Sequence, residues 1–185
     1  ADQYFRDYAR IYGLRTIVFR QSCIYGYRQF GKEDQGWVAW FIIASLLGKP
    51  MTIYGDGFQV RDLLFIDDLV DAYLLAIQHI DKTAGKIYNI GGGIDNAISL
   101  IEFLEMLERK LGKKLELGLA EMRVGDQKIY VSDIKMARED FGWSPKIGYE
   151  RGINLLFDWV NTNRHLFVRY GNMVYAFEVN CVNTI

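Results

Sequence analysis

Cysteine, histidine and proline each occur only twice in the 185 residues, and these scarcities exclude several classes of protein. Cys23 and Cys181 form no C-x-x-C pair and cannot build a disulfide framework. His79 and His165 lie far apart, without H-E-x-x-H spacing, so no protein metal site is expected. Neither sign of charge is in excess: 22 basic residues face 23 acidic ones, for a net charge of −1. A basic surface for nucleic acid is therefore missing, as is a polybasic run for anionic lipid. The longest apolar run, Trp37 to Leu47, is about half a membrane span. With no secretory signal in view, a reducing cytoplasm is the expected setting. The dinucleotide fingerprint G-x-G-x-x-G does not occur; Gly91-Gly-Gly93 lacks its spacing and reads as the exit from a strand.

What is present suits a packed domain, or one domain with an incomplete neighbour. Half of the residues are hydrophobic and 15% are aromatic, enough for a sizeable core. Helical spacing is under way at Tyr4, Phe5, Tyr8 and Tyr12, without a capping residue ahead of it, and Ala1 is not methionine. The chain therefore reads as the carboxyl-terminal part of something longer. This first helix should close at Gly13. Thr16–Arg20 then reads as a short buried strand of a parallel sheet. Trp37–Leu47 is apolar on most faces and predicts a buried helix closed by Gly48. Met51–Tyr54 and Leu63–Ile66 read as strands, and Asp67 or Asp68 as the cap of a helix to about His79. Lys86–Ile90 is another strand. Ser99 with Glu102 makes a capping box for a helix to Leu111. Leu115–Ala120 reads as a strand, and Ser132 or Asp133 as the cap of a helix to Phe141. A last helix covers roughly Tyr149–Asn161. Strands alternating with helices imply an α/β fold with parallel sheet. Residues 168–185 give no functional reading.

The residues able to do chemistry cluster in three segments. Tyr54–Asp68 carries a Gly-Asp-Gly turn followed by Arg61 and Asp62. A guanidinium aimed from such a turn suits phosphate oxygens, with Asp62 steadying it; a plain surface Arg-Asp pair is the alternative. Arg123-Val-Gly-Asp126 offers a second cation and a carboxylate, so that two arginines could grip a diphosphate while the acid takes ribose hydroxyls. Arg20–Gly26 leaves the end of a parallel strand, where ligands sit in open α/β sheets; Ser22 and Cys23 would lie there. Cys23 has no neighbouring histidine and reads as a packing thiol. Tyr4, Tyr8 and Tyr12 share a helix face, for packing or for a subunit contact.

Taken together, Y-G-L-R-T-x-x-x-R-x-x-x-x-Y-G, G-K-P-x-x-I-Y-G-D-G-x-Q-x-R-D, Y-N-I-G-G-G, R-x-G-D and G-W-x-P resemble the NAD-dependent epimerase/dehydratase family, the extended short-chain dehydrogenase/reductases. The likeness runs from Ala1 to about Phe167. Within the family, Phe19–Gly26, Gln29–Gly31 and Glu33–Phe41 resemble the branch that inverts C2 of CDP-paratose. Other branches commonly carry Asn at position 23 and Pro at 27. The resemblance implies NAD as cofactor, a nucleotide sugar as substrate, transient oxidation to a keto sugar, and a homo-oligomer paired through the first helix. It implies a Rossmann-type domain over 1–24 and 62–92, and a nucleotide-sugar domain over 25–61 and 93–167. Ser22 and Cys23 would touch the cofactor. Arg61 and Arg123 would hold the diphosphate and Asp126 the ribose, while Trp37, Val38, Thr52 and Tyr54 would flank the base. The family's catalytic Tyr-x-x-x-Lys is not found: none of the 12 tyrosines has Lys four residues on. The pair is expected upstream of Ala1, and this chain alone is expected to be inactive. A 4-epimerase, a 4,6-dehydratase, or a non-catalytic module that binds a nucleotide sugar remain alternatives.

Overall fold

A computed structural model describes residues 1–168 of the chain. The tail that gave no reading lies, beyond Val168, outside the described residues. Helix α1 (Asp2–Tyr12) ends at Gly13, whose left-handed φ of 67° closes the helix with a bond to the Ala9 carbonyl. Strand β1 (Ile17–Gln21) pairs in parallel with β6 (Lys86–Ile90). After a break at Ser22 and Cys23 the chain continues as β2 (Ile24–Tyr25), parallel to β5 (Leu64–Phe65). Helix α3 (Ile66–Gln78) and the short α4 (Ile80–Thr83) follow β5, and α6 (Lys135–Phe141) packs against β6.

The remaining elements form a second group. Helix α2 (Trp37–Leu47) is apolar all round because α5 (Leu100–Leu111), α7 (Tyr149–Thr162) and β3 (Met51–Tyr54) contact it from different sides. Strand β3 pairs in parallel with β8 (Leu117–Ala120). A three-stranded sheet has β4 (Val60–Asp62) in its centre, antiparallel to β7 (Ala97–Ser99) and parallel to β9 (Ile129–Tyr130). The α/β architecture with parallel pairing follows the sequence expectation. Among the described residues no helix is long and apolar enough to cross a membrane.

Two apolar clusters hold these elements. One gathers Ile42, Leu63, Phe65, Phe103, Leu107, Leu156 and their neighbours; the other gathers Leu64, Leu69, Tyr88, Ile90, Phe141 and Trp143. The segment Leu63-Leu64-Phe65 lies between them. Strand alternation sends Leu63 and Phe65 to one cluster and Leu64 to the other, and all three are fully buried.

Several local expectations need correction. Neither Asp67 nor Asp68 caps α3, whose N-cap is Phe65. Asp68 is buried instead, and its carboxylate accepts the backbone N–H groups of Lys146 (3.0 Å) and Ile147 (2.9 Å). That link, with the Trp143 Nε1 bond to the Asp68 carbonyl (2.9 Å), clamps the G-W-x-P turn onto α3. Helix α6 starts after Ile134, not at Ser132 or Asp133, although Asp133 Oδ1 still accepts from the Lys135 N–H at 2.9 Å. Strands β2, β4, β7 and β9 lack the alternating pattern that announces a strand, and long-range pairing defines them. The capping box at Ser99 and Glu102 is formed in both directions, and its two bonds to Ser99 hold the Glu102 carboxyl below the usual carboxylate range.

Candidate functional site

Strand β4 is the root of the site. Its alternation puts Arg61 and Asp62 on opposite faces, so Asp62 does not steady the guanidinium as the sequence suggested. Arg61 Nη2 instead donates to Asp126 Oδ1 at 2.7 Å, and Nη1 donates to the Val60 carbonyl at 2.8 Å. Both partners of this ion pair are largely withdrawn from solvent. The R-x-G-D string supplies the other half of the arrangement. Gly125 takes a φ of 83°, which a residue with a Cβ adopts only under strain, and the Asp126 N–H closes the turn on the Arg123 carbonyl at 3.1 Å. One tight turn thus carries both Arg123 and Asp126.

Arg123 lies over the Tyr54 ring, its guanidinium carbon 3.9 Å from the ring centroid, and pairs with Asp34 at 2.8 Å. Such stacking suits a planar guanidinium. Around these groups opens a cavity of about 460 Å³. Cys23, Trp37, Thr52, Tyr54, Arg61, Arg123 and Asp126 all lie on its wall. Val38, assigned to the base from sequence, and Ser22, assigned to the cofactor, are not on this wall. Val38 sits at the second position of an all-round apolar helix and is buried in the core. The Ser22 hydroxyl donates to Asp62 Oδ1 at 3.3 Å, turned toward the interior.

Asp62 itself is a fully buried carboxylate with three partners. Its Oδ2 accepts the N–H of Gly93 at 3.0 Å and of Ser132 at 3.1 Å, and its Oδ1 accepts from Ser22. It joins the exits of β1, β6 and β9 beneath the Arg61 strand. Cys23 follows Ser22 with a left-handed φ of 43°, and its carbonyl accepts the Leu64 N–H. Burial pushes the Cys23 thiol above its ordinary range, outweighing the Ser22 contact that favours ionisation. A neutral, weakly nucleophilic wall group is the consequence.

The cavity also presents groups to which sequence reasoning gave no role. Glu33, Asp34, Trp40 and Gln59 line it. Two of them carry buried polar atoms without a hydrogen-bond partner: the Trp40 Nε1–H donor and the Gln59 Oε1 acceptor. Glu33 and Asp34 belong to a turn closed by paired backbone bonds between Lys32 and Gln35 (2.9 and 3.0 Å). In the sequence that turn is only a polar stretch between glycines, and nothing in it announces that β3 lies opposite.

Comparison with known proteins bears on the fold and the family. The profile of the NAD dependent epimerase/dehydratase family matches residues 1–91. CDP-paratose 2-epimerase of Salmonella typhi is 42% identical over 167 residues, which cover 88% of this chain and 49% of that protein. A dTDP-glucose 4,6-dehydratase of Neisseria meningitidis serogroup B is 30% identical, over 96% of this chain and 52% of its own length. Among solved structures, UDP-glucose 4-epimerase of Thermotoga maritima with UDP-glucose superposes with a TM-score of 0.78 at 33% identity, over 88% of this chain and 51% of that one. UDP-glucuronic acid 4-epimerase of Bacillus cereus, in complex with UDP-glucuronic acid and NAD, gives 0.77 at 27% identity, over 87% and 50%. The chain spans about half the length of the curated relatives it matches. The motifs, the Rossmann-type α/β fold and these likenesses agree: the chain belongs to the NAD-dependent epimerase/dehydratase family.

Proposed function

We propose that this chain is the nucleotide-sugar-binding part of an NAD-dependent epimerase acting at C2 of CDP-paratose to give CDP-tyvelose. The observation that carries the reading is the convergence of Arg61, Arg123 and Asp126 on one cavity with Trp37, Thr52 and Tyr54 on its wall. Two guanidinium groups suit a diphosphate, because each can form paired, charge-assisted bonds to phosphate oxygens. Asp126 is the acceptor for ribose hydroxyls, and Tyr54 with Thr52 is the wall for the base. Both arginines are paired with carboxylates, Arg61 with Asp126 at 2.7 Å and Arg123 with Asp34 at 2.8 Å. A diphosphate therefore binds by exchanging with these internal anions, and Asp126, released from Arg61, becomes free to accept from the sugar. The identity of 42% to a CDP-paratose 2-epimerase, against 30% to a 4,6-dehydratase, favours the C2 reaction over the other chemistries of the family.

NAD, when bound, supplies reversible hydride transfer at the sugar carbon. Cys23 fits a place beside it: the thiol is uncharged at neutral pH and lines the cavity just past the end of β1. Ser22 would act through Asp62, holding the β1 exit in place. The acid–base tyrosine and lysine are not among these 185 residues, so the chain binds and orients its ligand without turning it over. A homo-oligomer paired through α1 is supported by Tyr4, Phe5, Tyr8, Ile11 and Tyr12, each at least half exposed on that helix.

Calorimetric titration of the chain with CDP tests the reading. Binding is expected, weakened at least about tenfold by Arg61→Ala, since a charge-assisted bond of roughly 1.5–3 kcal/mol is lost. Absence of CDP binding, or an Arg61→Ala protein that binds as well as the parent, would overturn it. Epimerisation of CDP-paratose by the chain alone would overturn the assignment of acid–base chemistry elsewhere.

A further inference from the structure

We infer that Glu33 is the residue that selects a cytosine base in this cavity, by accepting a hydrogen bond from the exocyclic amine. The inference rests on the nucleotide-sugar reading above and adds to it the origin of base preference.

The argument starts from Tyr54, the last residue of β3 and the wall proposed for the base. Three contacts fix it. Its hydroxyl donates to Glu33 Oε1 at 2.9 Å, its ring lies under the Arg123 guanidinium, and its carbonyl accepts from Gln59 Nε2. Two of these contacts leave an acceptor. Glu33 lines the cavity, and with one carboxylate oxygen held by Tyr54 its other oxygen is left to accept. With its NH₂ committed to the Tyr54 carbonyl, Gln59 keeps a carbonyl oxygen that is buried and unpaired. Tyr54 is therefore flanked by two acceptors.

The pyrimidines differ at the one position where this matters. Cytosine carries an amine at C4, a donor, where uracil and thymine carry a carbonyl oxygen, an acceptor. A carboxylate accepts from the cytosine amine but has no proton to offer the carbonyl. Facing uracil, Glu33 would leave two acceptors opposed, and such mismatches are a stronger source of selectivity than the matched bond itself. The turn from Lys32 to Gln35 holds Glu33 in place through its paired backbone bonds, so the acceptor is presented at small entropic cost.

The test is the ratio of affinities for CDP and UDP, measured by calorimetry on the 185-residue chain and on E33Q and E33A. Glu33 lies on an exposed turn, so both variants are expected to fold. Preference for CDP in the parent is expected to be about tenfold, the size of one well-placed base contact. In both variants it should fall to within about threefold, with CDP losing the amine contact and UDP gaining affinity once the opposed carboxylate is gone. Equal affinity of the parent for CDP and UDP, or an undiminished ratio in E33Q and E33A, would overturn the role of Glu33 and leave the nucleotide-sugar reading standing. A parent that binds neither nucleotide would overturn that reading, and the base selection with it.

Discussion

Replacing Asp62 should damage this protein more than replacing either arginine of the site, and the structure gives the size of the effect. The carboxylate is fully buried and accepts three hydrogen bonds, two from backbone N–H groups of Gly93 and Ser132 and one from the Ser22 hydroxyl. Asp62→Ala removes all three. Ser22 can turn its hydroxyl elsewhere, but the two backbone donors cannot move and lose their acceptor. Leaving a buried donor unsatisfied costs roughly 1–3 kcal/mol. Two such groups, plus the small cavity, give an expected loss of about 3–5 kcal/mol, a large share of a marginal folding free energy. Asp62→Asn separates charge from shape. Its carbonyl oxygen can still take both N–H groups, and its NH₂ can donate to Ser22 Oγ, so only the charge assistance goes, at about 1–2 kcal/mol. Urea unfolding followed by circular dichroism measures both variants against the parent. A loss below about 1 kcal/mol for Asp62→Ala, or equal losses for Ala and Asn, would refute the claim that this carboxylate ties the three strand exits together.

Two further perturbations probe the frame around the site. An added Cβ at Gly92 would sit 2.8 Å from both the Leu63 carbonyl carbon and Asn96 Cβ, with the Leu63 oxygen closer still. Because the obstacle is backbone, Gly92→Ala is expected to lower stability by at least about 2 kcal/mol, against about 1 kcal/mol or less at Gly13, where nothing lies within 4 Å; similar midpoints for the two would refute this. Asp140 provides a pH dependence. Its bond from Lys86 Nζ at 2.7 Å, aided by Tyr88 Oη at 2.8 Å, holds the carboxyl below the usual carboxylate range. A depressed folded-state pKa means stability that is present above the unfolded value near 3.8 and lost as pH falls through the lower folded value. Asp140→Asn should therefore be less stable than the parent at pH 7, with the gap closing below about pH 4; a gap that does not change with pH would count against it.

Much of this chain was legible from the sequence for physical reasons that operate over short distances. Gly13, Gly48 and the Ser99–Glu102 box end or start helices through bonds within one turn, and the structure has them where the pattern put them. The apolar run from Trp37 to Leu47 required a helix covered on all sides, and α5, α7 and β3 cover it. R-x-G-D set a cation and a carboxylate three residues apart, and the turn at Gly125 carries both to the site. What the sequence could not settle is which distant groups meet. Arg61 and Asp62 are neighbours in the chain, and strand pairing to β7 and β9 sends them to opposite faces, one to the cavity and one to the buried junction of three strands. Asp68 looks like a helix cap but serves a turn almost 80 residues away. Glu33 reads as an ordinary loop acid until β3 places the Tyr54 hydroxyl 2.9 Å from it. Local chemistry wrote the helices and turns into the sequence; the partners of Arg61, Asp62, Asp68 and Glu33 were decided only when the chain packed, because a buried charge must find its counterpart wherever the fold brings one.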